Sequence, residues 1–102
     1  MTEKMQAMQV RRDELVNLLS GATVDSRQRH VLQKELSQLT TCLEKMEAIQ
    51  KIDAELQDVQ VQATQTIDRE LLELFQDELV QLQVKKDTAQ KELDNYMYPP
   101  SP

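Results

Sequence analysis

Apolar residues recur along this chain at spacings of three and four, and they do so in three separate stretches. Between Asp68 and Tyr98 the stripe is Leu72, Phe75, Leu79, Leu82, Ala89, Leu93 and Tyr96, interrupted only by Lys86. That rhythm returns side chains to one face of an α-helix, and it predicts a helix over 67–97. Burying each Leu or Phe is worth roughly 1.5–3 kcal/mol. The stripe therefore requires another helical face to cover it.

Two earlier stretches supply such faces. From 2 to 19, Met5, Met8, Leu15 and Leu19 keep a heptad-like spacing, with Arg12 in the seam and Val16 and Leu18 widening the face. Methionine packs adaptably but specifies geometry weakly, so the first turns of this helix are expected to fray. From 26 to 63 the pattern is Leu32, Leu36, Leu39, Leu43 and Met46, resuming as Ile49, Ile52, Leu56, Val59 and Ala63. The slip of one residue after Met46 suits a straight 3.6-residue helix better than a strict supercoil. Neither Gly nor Pro interrupts this helix, which would extend roughly 55 Å at 1.5 Å per residue.

The breaks are equally informative. Ser20 to Asp25 holds Gly21, the one glycine of the chain, where a helix C-terminus favours a residue that can turn left-handed. Asp25 or Ser26 can cap the next helix, with Gln28 completing a weak capping box. Val61 to Ile67, with Thr64 and Thr66, is poor helix material and marks a second turn, after which Thr66 or Asp68 is the predicted cap. Pro99, Pro100 and Pro102 end the third helix. Short connections make consecutive helices antiparallel neighbours. The expectation is one all-α domain over 1–102: an antiparallel three-helix bundle or coiled coil with a long central helix and a Pro-rich end at 99–102.

Composition narrows the function. The net charge is −6, and residues 64–102 carry eight acids against four bases. Phosphate binding needs clustered Lys and Arg, so no direct nucleic-acid site is expected, and a basic protein surface is the better-matched partner. The longest apolar runs are two or three residues, which predicts no membrane span. No signal peptide is visible at the N-terminus. Cys42 is the single cysteine, which fits a reducing compartment, and a cytoplasmic location follows as the expectation.

Few residues are suited to chemistry. His30, the one histidine, reads as a solvated residue early in the second helix, and Arg27 rather than an acid stands three positions before it, so neither a zinc nor a di-iron pattern is present. Cys42 reads as a small core residue without a nearby base. Glu73 and Asp77 are carboxylates one turn apart on an acidic, solvated face. Arg11-Arg12 and Lys85-Lys86 read as surface pairs, with Lys86 reaching out of the seam along its aliphatic stem. No catalytic, cofactor or metal residues are assigned, no partner-binding residues can be picked out, and the chain is not expected to be an enzyme.

Several runs taken together, in this order, carry a resemblance: Leu18-Leu19-Ser20, then Leu32-Gln33-Lys34-Glu35-Leu36-Ser37-Gln38-Leu39, then Asp68-Arg69-Glu70 leading to Gln76-Asp77-Glu78-Leu79, and finally Tyr98-Pro99-Pro100-Ser101-Pro102. Across about residues 15–102 the chain resembles the N-terminal helical domain of bacterial-type class I peptide chain release factors. The closing Pro-x-x-Pro is closer to the release factor 1 branch, which reads UAA and UAG. Arg69 stands where that family usually has proline, and Ser101 where it has an acid.

The resemblance implies translation termination. In that family the Gly-Gly-Gln tripeptide that promotes peptidyl-tRNA hydrolysis and the codon-reading tripeptide lie beyond this domain, and neither occurs here. It also implies that the chain is a fragment or truncated relative keeping an accessory part, near the ribosomal stalk-base proteins and the class II release factor. From the residues alone an alternative stays open: a coiled-coil scaffold or adaptor that self-associates through the face of its long second helix.

Overall fold

A computed structural model describes residues 2–21 and 23–101. Ala22, in the first predicted turn, and Pro102, the last residue of the Pro-x-x-Pro ending, lie outside the described residues. The fold is all-α. Three helices follow in order, α1 (Thr2–Ser20), α2 (Ser26–Gln65) and α3 (Arg69–Met97), and no strand occurs among the described residues. The chain divides into two compact units, Met1–Met46 and Glu47–Pro102.

In the first unit α1 lies antiparallel to the opening part of α2. Arg11 reaches Glu35, while Arg29 reaches the carbonyls of Leu19 and Gly21, so positions pair in descending order. Met5, Leu15, Cys42, Leu43 and Met46 are buried, and Leu19, Leu32, Leu36 and Leu39 are half-buried. The Met-rich opening is helical from Thr2, and its Met5 is inside rather than frayed into solvent.

The end of α1 departs from expectation. Gly21 does not adopt a positive φ, so it forms no left-handed cap. The physical reason is the Arg29 guanidinium, whose Nη1 donates to Leu19 O at 2.9 Å and whose Nη2 donates to Gly21 O at 3.3 Å. With a side chain from α2 satisfying these carbonyls, the helix end has no need of a backbone device to do so. At the start of α2, Asp25 rather than Ser26 is the cap, its carboxylate accepting from Gln28 N–H at 2.8 Å.

In the second unit the later part of α2 and α3 form another antiparallel hairpin. Ile52, Leu56 and Val59 from α2 and Leu82 from α3 make one buried cluster, with Phe75, Leu79 and Ala89 packed against it. Ile49 and Leu93 are also buried. Tyr96, expected in the seam, is 38% exposed, and Met97 is half-buried instead. A 3.6-residue turn starting from Leu93 brings position 97 nearer the covered face than position 96.

The connection between these helices, 66–68, falls two residues later than the predicted helix bounds of 63 and 67 place it. α2 continues through Gln65 because the threonines that disfavour helix also repair it: Thr64 Oγ1 donates to Val61 O at 2.8 Å and Thr66 Oγ1 to Gln62 O at 2.7 Å. Their hydroxyls thus serve carbonyls at the end of the helix. Asp68, not Thr66, is the N-cap of α3. Its extended backbone (φ −76°, ψ 119°) lets one carboxylate oxygen accept from the N–H groups of Glu70 and Leu71. At the other end Tyr98 is non-helical, as a residue before proline tends to be.

Candidate functional site

The titratable groups singled out from the sequence do not converge. His30 is exposed and Cys42 buried, and both stand on α2, twelve positions or about 18 Å apart along its axis. Burial pushes the Cys42 thiol up, opposed in part by the Lys4 ammonium. A buried thiol of that kind is a poor nucleophile. Glu73 and Asp77 are both exposed, and Glu73 has only a long 3.9 Å pairing with Arg69. Among the described residues no three His, Cys, Asp or Glu side chains are grouped to hold a metal.

Two charged pairs behave differently from the ordinary surface expected of them. The Arg11 Nε and Nη2 atoms donate to the two carboxylate oxygens of Glu35 at 2.9 and 3.0 Å, and Nη1 donates to Glu14 at 3.2 Å. This planar fork is a strong, directional arrangement. It holds the Glu35 carboxyl below the usual carboxylate range and raises the Arg11 guanidinium further above its ordinary value. Lys86 does reach out of the seam, and it ends on Asp53 of α2 at 2.7 Å. Among the described residues Arg12 and Lys85 form no comparable bridge; Arg12 has a 3.5 Å contact with its neighbour Asp13.

A usable signal for the first pair existed in the sequence. Arg11 and Glu35 each lie twelve positions from Thr23, in the middle of the predicted turn, so a hairpin centred there sets them opposite one another. The second pair had no such signal: Asp53 lies thirteen positions before Thr66 and Lys86 eighteen after Asp68, so counting outward from the turn does not set them opposite.

What remains for recognition is surface. In the first unit Leu18, Val24, Val31 and Leu32 line an open, mostly apolar depression of about 500 Å³, with Arg27 and Gln28 beside it. In the second unit the beginning of α3 exposes Leu71 and Leu74, and Ile67 before it is fully exposed. A smaller share of apolar surface lines a depression of about 490 Å³ formed by Glu55, Glu78, Gln81, Leu82, Val84 and Lys85. These surfaces can dock a partner; they offer no convergent groups for a reaction.

Compared with known families, residues 8–102 match the PCRF domain. The chain belongs to the PCRF domain family. The match spans nearly all of the described chain and bears out the resemblance to the N-terminal helical domain of peptide chain release factors. Membership of the PCRF domain family suggests a release-factor role in translation termination and, with it, interaction with the ribosome in general terms. Comparison with curated proteins and with solved structures gave no match. No helix among the described residues is long and apolar enough to cross a membrane.

Proposed function

We propose that this chain is an accessory, non-catalytic domain of a peptide chain release factor, acting at stop codons on the ribosome in the cytoplasm. It needs no cofactor, and its residues neither read the codon nor touch the scissile ester. The observation that carries this reading is the PCRF match over residues 8–102. The acid-rich last third supports it, because an acidic helical surface suits basic ribosomal protein. Stalk-base proteins and the class II release factor are the partners that the family resemblance supplies. The Pro99-Pro100-Ser101-Pro102 ending supports the branch that reads UAA and UAG.

Co-sedimentation of the chain with ribosomes, without peptidyl-tRNA hydrolysis by the chain alone at a stop codon, is the expected result. A chain left in the supernatant, or one that releases peptide unaided, overturns the reading. We propose in addition that residues 1–102 unfold as one domain, because α2 contributes residues to both compact units. A single calorimetric transition with matching calorimetric and van't Hoff enthalpies is the expected sign; two separated transitions refute it.

A further inference from the structure

The start of α3 carries apolar surface that its own hairpin does not use. Leu74 is 63% exposed and Leu71 41% exposed, three positions apart and so on one side of the helix. Within one turn of Leu74 stand Glu70, Asp77 and Glu78, at spacings of four, three and four. All three are exposed, and no Lys or Arg pairs with their carboxylates among the described residues. Glu78 also borders the depression to which α2 contributes Glu55 and α3 contributes Lys85, seven positions further on. The result is an apolar ridge fenced by unneutralised carboxylates.

We propose that this face of α3, centred on Leu74, docks a basic amphipathic helix of a protein partner. The proposal rests on the release-factor reading above and deepens it by naming the face and the chemistry of what covers it. Apolar side chains of the partner would pack on Leu71 and Leu74, and its Lys or Arg residues would meet Glu70, Asp77 and Glu78. Charge decides among occupants. A nucleic acid would bring phosphates against three carboxylates, and a second copy would bring the same acidic face.

The test uses the ¹⁵N-labelled chain and two synthetic amphipathic helices, one of leucine and lysine, the other of leucine and glutamate. Binding of the lysine peptide is expected to shift amide resonances within 67–81, and the glutamate peptide is expected to leave them in place. Glu70→Lys with Glu78→Lys should weaken the lysine peptide by about tenfold or more, as charge reversal across a complementary interface does. Asp87→Lys with Glu92→Lys makes the same change in net charge elsewhere on α3 and should weaken it far less. Leu74→Asn, at an exposed position, should reduce binding with helicity by circular dichroism unchanged. Shifts mapping to other residues, equal binding of the two peptides, or equal losses in both double variants overturn the proposal. Ribosome co-sedimentation of the unaltered chain is scored separately. Its retention without peptide binding sinks this face alone, whereas its loss sinks the release-factor reading.

Discussion

The two compact units are each a pair of antiparallel helices around buried apolar side chains, but they differ in the further contacts that carry direction between those helices. In residues 2–46 the contacts between helices that carry direction are polar: the Arg11 fork on Glu35 and the Arg29 guanidinium on two α1 carbonyls. In residues 47–101 they are mainly apolar, a cluster of Ile52, Leu56, Val59 and Leu82 with Phe75, Leu79 and Ala89 against it, and one ion pair, Lys86 with Asp53. Similar three-four rhythms in the sequence thus bury apolar side chains in both units, with a polar joint added in the first. The apolar joint does not titrate, whereas a joint of half-exposed charges is both screened and titratable. This difference can be broken at specific residues.

The largest effect is expected at the apolar joint. Leu82 is 7% exposed and sits in the cluster with three α2 residues, so Leu82→Ala should destabilise by about 2–5 kcal/mol in urea unfolding. Leu79, which is only half-buried, should cost less when truncated the same way. If Leu79→Ala proves equal to or worse than Leu82→Ala, the assignment of the joint is wrong. A mid-sized effect belongs to the cap of α3: Asp68→Ala removes an acceptor of two N–H groups and should cost about 1 kcal/mol. Asp25→Ala, which removes an acceptor of one N–H group, should cost less, and native-state hydrogen exchange in α3 and early α2 separates the two.

At the polar joint the sign follows from the depressed Glu35 carboxyl. A carboxyl held lower in the folded state than in the unfolded one adds stability above its ordinary unfolded value, and that contribution disappears as pH falls through the folded value. Glu35→Gln should therefore lower the melting temperature at neutral pH, and the gap to the parent should close in acid. Both side chains remain more than a third exposed, so solvent screening keeps the effect below that of the Asp68 cap. Added salt should narrow the gap as well. A gap that persists unchanged at low pH would show that the fork contributes through packing rather than charge.

Much of this architecture was legible because helix periodicity and breakers act locally. Leu82 and Leu93 in α3, and Leu43, Met46, Ile49, Ile52, Leu56 and Val59 in α2, are buried as their spacing predicts. The misreadings come from side chains that act across a turn or against propensity. Thr64 and Thr66 lengthen α2 by bonding back to carbonyls that a propensity scale treats as lost. Tyr96 yields its place to Met97 because three-four spacing leaves the last turn ambiguous. The docking face on α3 was hidden for a different reason. Leu71 and Leu74 fall beside the seam, and only their exposures of 41% and 63% in the folded hairpin show that nothing in the unit covers them.

Gly21 offers the smallest effect and the sharpest contrast between sequence and fold. A glycine at a helix end invites the left-handed reading, under which alanine would be strained. Here the backbone is not left-handed, and a Cβ added at Gly21 would meet Leu18 O at 3.5 Å and Thr23 Oγ1 at 3.7 Å, ordinary contacts. Gly21→Ala should thus restrict the unfolded chain without straining the folded one and stabilise by about 0.4–1 kcal/mol. Thermal melts of the single variant and of its combination with Arg29→Ala check this. The gain should survive in the single variant, while loss of Arg29 should destabilise both backgrounds by freeing the carbonyls of Leu19 and Gly21. A destabilised Gly21→Ala would mean that the turn uses a left-handed glycine after all, and that Arg29 only accompanies a cap made by the backbone.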